Sequence, residues 1–522
     1  MKFSHPMPST SAPGNPSRRE FIKDAVTLTA AAVAAPALAA PPAVARQPSL
    51  LKDENTRAGA RDWQLTRVKL DRRNGFRSPA IEGYCSHQSI KTGETIEIMV
   101  STKPASKFML EVYRMGYYGG RGARLMTTLG PLPGVVQPDP AVGDGRLREC
   151  RWSPGAALKI PGDWVSGVYL GRLTTVPDKT SEPYWQSYVI FIVRDERRAD
   201  LLFQCSDNTW AAYNRWPDDY SLYTDPRGSH ARNVKVSFDR PYNKYAQIFE
   251  HPLSVGSGEF LLWEFPLLYW LEQHGYDVTY CSNSDCLDVA QITRCKTFLS
   301  VGHDEYWDTR QYDAVKAAID SGTHVLWLCG NSVFGVTPFS PSSSGRPNRI
   351  ITRTAIYAGL SDAEVHEKYK DRPPLLADWK RDHRDESLII GARNIMPING
   401  GGDWVCTKPE HWIFEGTGMK KGDFIPGLVG WEHHGAPANI PGLEVVAEGT
   451  SWRSGVTPGH WTATVYPGPK QNIVFNAATI FWSQGLSSPP GHILPWSHWS
   501  RPHGPDERVQ RIMRNVLRRT LG

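Results

Sequence analysis

The sequence has little that would indicate a membrane protein, a nucleic-acid-binding protein or a disulfide scaffold. Beyond the N-terminal region, no stretch reaches the roughly eighteen apolar residues of a membrane-spanning helix. The net charge is only +6 over 522 residues, with no basic patch or acidic tail that would bind nucleic acid. The 8 cysteines are sparse and lack any CxxC or zinc spacing. Three cysteines lie close together in the sequence, namely Cys281, Cys286 and Cys295, and we expect any disulfide bond to form within this group. Cys329 is interpreted as a buried thiol.

The N-terminus matches an export signal of the twin-arginine type. Ser17-Arg18-Arg19-Glu20-Phe21-Ile22-Lys23 precedes an Ala-rich stretch from Ala25 to Ala40 and a cleavage site at Ala43-Val44-Ala45. We interpret residues 1–45 as the signal peptide and residues 46–64 as a linker, and expect a periplasmic or secreted protein. The alternative is an Ala-rich helix of the folded domain. Because this pathway exports folded proteins, often with a cofactor inserted, the signal points indirectly to a metal or another prosthetic group.

Two regions of different pattern follow the linker. Residues 65–196 hold short runs with period-two alternation, such as Thr95 to Val100, which predicts an immunoglobulin-like β-sandwich. In residues 197–522 apolar strands alternate with amphipathic helices, which predicts a doubly wound, mostly parallel α/β domain. Residues 345–440 are rich in Gly, Pro and charge, and we interpret them as a loop-rich insertion over the sheet.

The most informative stretch runs from Thr297 to Asn331. It predicts a strand ending at Gly302, the polar turn His303-Asp304-Glu305-Tyr306, a helix, and a second strand from Val325 to Leu328. Open α/β sheets place their sites beyond the carboxyl ends of such strands. An imidazole, two carboxylates and a phenol within four positions favour a site over an ordinary turn. The alternative is structural, with an aspartate capping the helix and the rings wedged against loops.

Two more clusters carry similar chemistry. Ser206 to Asn214 follows another short strand, and Gly430 to Gly435 packs a carboxylate and two imidazoles into six positions. The second cluster is equally compatible with a charged loop.

Four motifs together resemble the large (β) subunit of N,N-dimethylformamidase and its relatives. They are Gly302 to Trp307, Asn208 to Asn214, Trp263-Glu264-Phe265-Pro266 with Trp270-Leu271-Glu272, and Phe475 to Thr479. The resemblance covers residues 65–520, and the motifs occur in family order. It implies a core domain similar to the glutamine-amidotransferase-like α/β fold.

The resemblance also implies a mononuclear iron site held by two tyrosines and a glutamate, donors that suit ferric iron. The tyrosine of the family's His-x-Glu-Tyr turn matches Tyr306, and Glu432 is the expected glutamate. The second tyrosine is expected where this chain has Phe265 and Pro266, so Tyr269 or Tyr213 would replace it.

Three hypotheses follow. The first is an exported hydrolase that cleaves a C–N bond of a small amide with metal-activated water. The second is a protein that binds a carbohydrate or other polar ligand without turnover, and the third is a structural or partner-binding protein. Each of the three hypotheses is compatible with a homo-oligomer or with a small accessory subunit. A catalytic cysteine is disfavoured because the turn at 303–306 contains none.

Under the first hypothesis the metal ligands are Tyr306 and Glu432, the catalytic residues are His303, Asp304, Glu305 and His433, and the substrate contacts are Tyr213, Asn214, Trp307 and Asn331.

Overall fold

The computed structural model describes residues 50–71, 77–229, 231–244, 252–357, 381–394, 400–453, 457–495 and 504–522. The predicted signal peptide lies outside these residues. Within them, no helix has the length and apolar character needed to cross a membrane.

The first region consists of a short helix and two β-sheets that share one core. The sheet orders are β1-β3-β6 and β2-β8-β7-β4-β5, and all pairs are antiparallel except the parallel pair of β2 and β8. Alternate residues such as Ile96 and Ile98 are buried, as their period-two spacing predicts. The elements are α1 (Leu50–Asn55), β1 (Glu82–Cys85), β2 (Ser89–Lys91), β3 (Thr95–Ser101), β4 (Lys107–Met115), β5 (Ala123–Leu132), β6 (Pro154–Lys159), β7 (Gly167–Val176) and β8 (Gln186–Arg194).

The second region begins with strands and helices in alternation. Its elements up to residue 329 are β9 (Leu201–Gln204), α2 (Asp207–Tyr213), β10 (Val234–Ser237), α3 (Phe260–Trp263), α4 (Phe265–Gln273), β11 (Val278–Cys281), α5 (Val289–Thr293), β12 (Thr297–Gly302), β13 (Tyr306–Trp307), α6 (Thr309–Ser321) and β14 (His324–Cys329).

Short strands are the most frequent elements among the described residues after 329, including the described part of the predicted loop-rich stretch at 345–440. The elements are β15 (Gly335–Val336), β16 (Phe339–Ser340), β17 (Ile350–Arg353), β18 (Ala355–Tyr357), β19 (Arg381–Asp382), α7 (Ser387–Ile390), β20 (Ala392–Asn394), β21 (Gly402–Val405), β22 (Phe424–Val429), β23 (His434–Pro437), β24 (Glu444–Arg453), β25 (Thr457–Pro467), β26 (Ile473–Asn476) and α8 (Glu507–Leu521).

A mixed seven-stranded sheet of order β11-β9-β12-β14-β26-β25-β24 forms the centre of this region. Its first five strands are parallel to one another, whereas β25 and β24 add to the edge as antiparallel strands. The parallel strands are almost wholly buried, which explains why their sequences are continuous apolar runs.

The prediction of a mostly parallel, doubly wound α/β domain is wrong. The protein is a mixed α/β structure with 34% strand and 20% helix, and the strands of the described residues are distributed over seven sheets. Among those residues only α4, α6 and α8 are longer than seven residues. A short apolar run does not show whether its strand pairs in parallel or antiparallel, so alternation alone overestimated the parallel sheet.

The local predictions around β12 are confirmed. Helix α6 buries Tyr312, Val315 and Ala318, its N-cap Asp308 accepts a hydrogen bond from the backbone of Arg310, and it ends at left-handed Gly322. Helices α3 and α4 follow each other directly and are separate, because Pro266 lies in the first turn of α4 and favours a new helix start.

A buried ion pair joins the two regions. Arg114 on β4 donates to both oxygens of Glu272 on α4, at 2.8 and 3.0 Å, and both side chains are fully buried. Asn55 and Tyr280 each donate to the same carboxylate at 2.8 Å. The pair is therefore surrounded by hydrogen bonds, the condition under which a buried charge is tolerated.

Candidate active site

The site begins where β12 ends. Gly302 has φ of +77°, and a Cβ there would lie 2.6 Å from the Cβ of Trp263, so both the turn and the packing require glycine. The chain then reverses through His303, Asp304 and Glu305 before entering β13 at Tyr306. All four polar side chains of this turn are buried.

Backbone contacts from two sides hold this turn in place. From α2, the Asn208 side chain donates to the carbonyl of Tyr306 at 2.9 Å, and the Thr209 hydroxyl accepts from the amide of Glu305 at 3.0 Å. From the other side, the amides of Phe334 and Gly335 donate to the carbonyl of Glu305 at 2.8 and 2.9 Å. Because the backbone on both sides is fixed, the side chains of the turn are positioned by the fold.

An imidazole lies between two carboxylates in this site. Nε2 of His303 is 3.3 Å from Oε2 of Glu305 and also contacts Oε2 of Glu432. One ligand atom from each of the three residues lies within 4.8 Å of the other two, and of the described residues only this group of His, Cys, Asp and Glu is arranged to hold a metal ion. Glu432 comes from the loop between β22 and β23, where it has φ of +57°.

Three phenols complete the cluster. The Tyr213 hydroxyl donates to Oε2 of Glu305 at 2.7 Å, and the Tyr223 hydroxyl donates to Oε1 of the same carboxylate at 2.8 Å. The rings of these two tyrosines are stacked, with centroids 4.7 Å apart. The hydroxyl of Tyr306 contacts that of Tyr223. Glu305 thus accepts hydrogen bonds from two of the three phenols.

The electrostatics of the cluster follow from burial and from its two glutamates. Burial raises the pKa of Tyr213, Tyr223 and Tyr306 well above that of a free phenol, and the Glu305 charge raises it further. Burial alone would lower the pKa of His303, but Glu432 and Glu305 outweigh it and raise that pKa well above the ordinary imidazole value. Desolvation raises the pKa of Glu432, opposed by the charge of His303. The two glutamates therefore favour the protonated form of His303.

Arg353 supports the loop that carries Tyr223. Its guanidinium donates to the carbonyls of Leu222 and Ala231 at 2.7 and 2.8 Å, and lies 5.3 Å from the centre of the Tyr223 ring. Its charge also opposes the rise in the pKa of Tyr223 and Tyr306. Arg353 therefore both shapes the loop and favours negative charge on the phenols.

The chain matches a known protein family. The family model described as N,N-dimethylformamidase beta subunit-like, C-terminal, matches residues 109–495. The chain belongs to this family. No curated protein matches the chain. The matched range includes β12, the turn at 303–306, both tyrosines on the Glu305 carboxylate, and Glu432.

In this dimethylformamidase beta subunit-like protein, the donor set fits the iron that the family resemblance implies. Phenol and carboxylate oxygens are hard donors that suit ferric iron, and three phenols and two carboxylates belong to this cluster. The Tyr213 and Tyr223 hydroxyls each donate to an oxygen of Glu305, so these three residues would hold such an ion.

The structure brings some of the predicted residues together and separates others. His303, Glu305, Tyr306, Glu432 and Tyr213 meet in one cluster. Asp304 instead accepts hydrogen bonds from Gln204, Ser300 and Asn283 at 2.6 to 3.0 Å, beneath the turn.

The other predicted residues form separate contacts. His433 contacts the Ser451 hydroxyl at 2.6 Å, and burial lowers its pKa to about 3. Asn214 donates to the carbonyl of Pro241, Trp307 packs against Trp327, and Asn331 is buried with φ of +46°. Their roles in catalysis or binding remain predictions.

At the position where the resemblance places the second tyrosine, the chain has Phe265, whose side chain packs against other aromatic rings. Phe265 packs against Trp63 and Phe260, with ring centroids 5.7 and 5.6 Å apart, and Tyr269 packs against Tyr117 at 5.2 Å. Tyr213, the other predicted substitute, reaches Glu305.

Tyr223 is the site residue that sequence reasoning missed. It lies in the irregular segment between α2 and β10, where neither periodicity nor a motif distinguishes it from Tyr220. Its spacing of ten residues from Tyr213 is its only sequence signal, and it becomes meaningful only once the stacked rings are seen.

Proposed function

We propose that the protein hydrolyses a C–N bond of a small amide, and that Glu305, Tyr213 and Tyr223 hold an iron ion for this reaction. The observation that carries the proposal is that both phenols donate to the two oxygens of one buried carboxylate. Two tyrosines and a glutamate are the ligand set that the family resemblance implies. A ferric ion bound there would act as a Lewis acid toward the amide carbonyl and the attacking water.

The remaining groups supply proton transfer. Glu432 is the most exposed of the three His and Glu side chains, at 17% against 0% for His303 and 2% for Glu305, so it is the group that water reaches first. Glu432 accepts a proton as water attacks the carbonyl carbon, and the imidazolium of His303 donates a proton to the departing nitrogen. The C–N bond breaks, and the products are a carboxylic acid and an amine.

Tyr306 has a different position in this arrangement. Its hydroxyl contacts Tyr223, whereas Tyr213 and Tyr223 contact Glu305 directly. We assign Tyr306 to orienting Tyr223. The sequence-based expectation, in which Tyr306 and Glu432 are the ligands, is the competing assignment, and metal content distinguishes the two.

The test measures iron per chain and visible absorption in the purified protein and in Tyr→Phe variants, which keep the ring and remove only the oxygen. Tyr213→Phe and Tyr223→Phe should each lose most of the iron and the phenolate-to-iron absorption band, whereas Tyr306→Phe should retain iron. Tyr276→Phe is the matched control, because its ring stacks on Trp270 outside the cluster. Loss of iron from Tyr306→Phe alone would favour the competing assignment. A folded protein without metal or amidase activity would instead support the ligand-binding hypothesis.

We further propose that the protein is exported by the twin-arginine pathway and acts in the periplasm or outside the cell. Arg18-Arg19 followed by the Ala-rich stretch supports this proposal. Export after folding would allow iron to be inserted in the cytoplasm.

A further inference from the structure

Two cysteine thiols lie in contact below the active site. Cys281 ends β11, and Cys286 lies in the 3-10 turn Asn283–Leu287 that follows. Their Sγ atoms are 3.5 Å apart, and the residues are 2% and 0% exposed. A disulfide needs about 2.05 Å between sulfurs, so the two must approach by about 1.5 Å. Adjustment of two side chains and a short loop can supply a movement of this size.

The segment between the two thiols is held by its own polar contacts. Both the amide and the hydroxyl of Ser282 donate to Oδ2 of Asp285 at 2.9 Å, which closes the turn. The backbone therefore already brings the two cysteines together, and a covalent bond between them would retain this local fold.

This segment also supports the active site through Asn283. The Asn283 side chain donates to Oδ1 of Asp304 at 3.0 Å, beneath the 303–306 turn, and accepts from the amide of Asn208 at 3.0 Å. Its own amide donates to Asp207 at 2.7 Å. Asp207 and Asn208 belong to α2, the helix that ends with Tyr213. Asn283 therefore connects the segment to both elements that present the Glu305 cluster.

We propose that Cys281 and Cys286 form a disulfide, and that this bond fixes Asn283 in the position that supports the site. The oxidant is a second disulfide, such as oxidised glutathione or a disulfide oxidoreductase. One thiolate attacks a sulfur of the oxidant and displaces its other sulfur as a thiolate; the second thiolate then attacks the mixed disulfide and displaces the remaining one. The two cysteines lose two protons and two electrons, and the oxidant is reduced to two thiols.

The burial of both sulfurs defines the conditions of the reaction. A solvent oxidant does not reach thiols this deeply buried, so the bond forms in local opening events of the segment. Once formed, the bond is protected from reductant by the same burial. The test therefore uses prolonged incubation of the full chain.

The first experiment incubates the full-length protein with a glutathione buffer rich in the oxidised form. The exchange is quenched with acid, and the protein is then unfolded in denaturant at mildly alkaline pH with excess iodoacetamide, which blocks its free thiols as thiolates. After reduction, the newly released thiols are labelled with N-ethylmaleimide and located by peptide mass spectrometry. Cys281 and Cys286 should carry the second label, and Cys406 should carry the first. In Cys281→Ser, Cys286 should also carry the first. The proposal would be overturned if iodoacetamide modified both Cys281 and Cys286 in the wild type. A bond from either of them to Cys295 would overturn it as well.

The second experiment tests the positioning effect and requires neither metal nor turnover. Amide hydrogen exchange across residues 282–286 and 207–213 is compared between the oxidised and reduced protein. Exchange should be at least about 10-fold slower in the oxidised form, because the bond suppresses local opening. Cys406→Ser should leave this difference unchanged. Equal exchange in the two forms would refute the link to the site, whether or not the protein proves to be an amidase.

Discussion

Gly335 provides the space that the ring of Tyr306 occupies. The two residues pair in register between β13 and β15, and a Cβ on Gly335 would lie 2.5 Å from both Cδ1 and Cε1 of Tyr306. Carbon atoms normally approach to about 3.5 to 4.0 Å, so Gly335→Ala requires a shift of about 1 Å. Overpacking of this kind costs about 1 to 3 kcal/mol of unfolding free energy. The same shift would move the Tyr306 hydroxyl relative to Tyr223, and a displacement of about 1 Å can reduce a catalytic rate about 100-fold.

Urea denaturation and amide hydrolysis measure the two effects of Gly335→Ala separately. We expect a lower urea midpoint with an unchanged m-value, and a loss of activity larger than the fraction of unfolded protein explains. Gly162→Ala is the matched control, because a Cβ there meets no atom within 4 Å. If Gly335→Ala unfolds at the wild-type urea concentration and keeps full activity, the packing argument for Tyr306 is wrong.

Three further predictions address export, the ion pair between the two regions, and pH. Replacing Arg18 and Arg19 by lysine should leave the uncleaved protein in the cytoplasm, as cell fractionation and intact mass would show; normal export would contradict the signal assignment. Glu272→Ala should cost about 3 to 5 kcal/mol in urea denaturation because it leaves a buried arginine unpaired, whereas Asp320→Ala, which removes an exposed pair, should cost less than about 1 kcal/mol. Because the folded state lowers the pKa of His433 to about 3, only the unfolded imidazole gains a proton below about pH 6.5; this residue should therefore contribute a fall of about 2 kcal/mol in the unfolding free energy from pH 7 to pH 5, beside the separate contribution of His434, whose pKa burial lowers to about 4. An equal fall in the wild type and in a folded His433→Gln variant would refute this.

Local signals in the sequence were sufficient to predict the strand, turn and helix that carry the candidate site. The apolar run of β12, the stop at Gly302, the period of α6 and its end at Gly322 are each encoded within a few residues, and the structure has all four. The polar turn was therefore located correctly at a strand end. His303, Glu305 and Tyr306 meet there as neighbours in sequence.

Contacts between distant residues explain what the sequence did not reveal. Tyr223 reaches Glu305 across 82 positions, from a segment without periodicity. The fold class failed for the same reason, because the antiparallel pairing of β24 and β25 at the sheet edge depends on partners that an apolar run does not specify.

The ion pair between Arg114 and Glu272 has a consequence for how this protein can be dissected. A fragment starting at residue 197 would keep Glu272 and Tyr280 but lose Arg114 and Asn55, so the Glu272 carboxylate would lose its counter-charge and one of its hydrogen-bond donors. The family match begins at residue 109, inside the first region, and so includes Arg114. The first region thus supplies the charge that compensates a carboxylate of the second region.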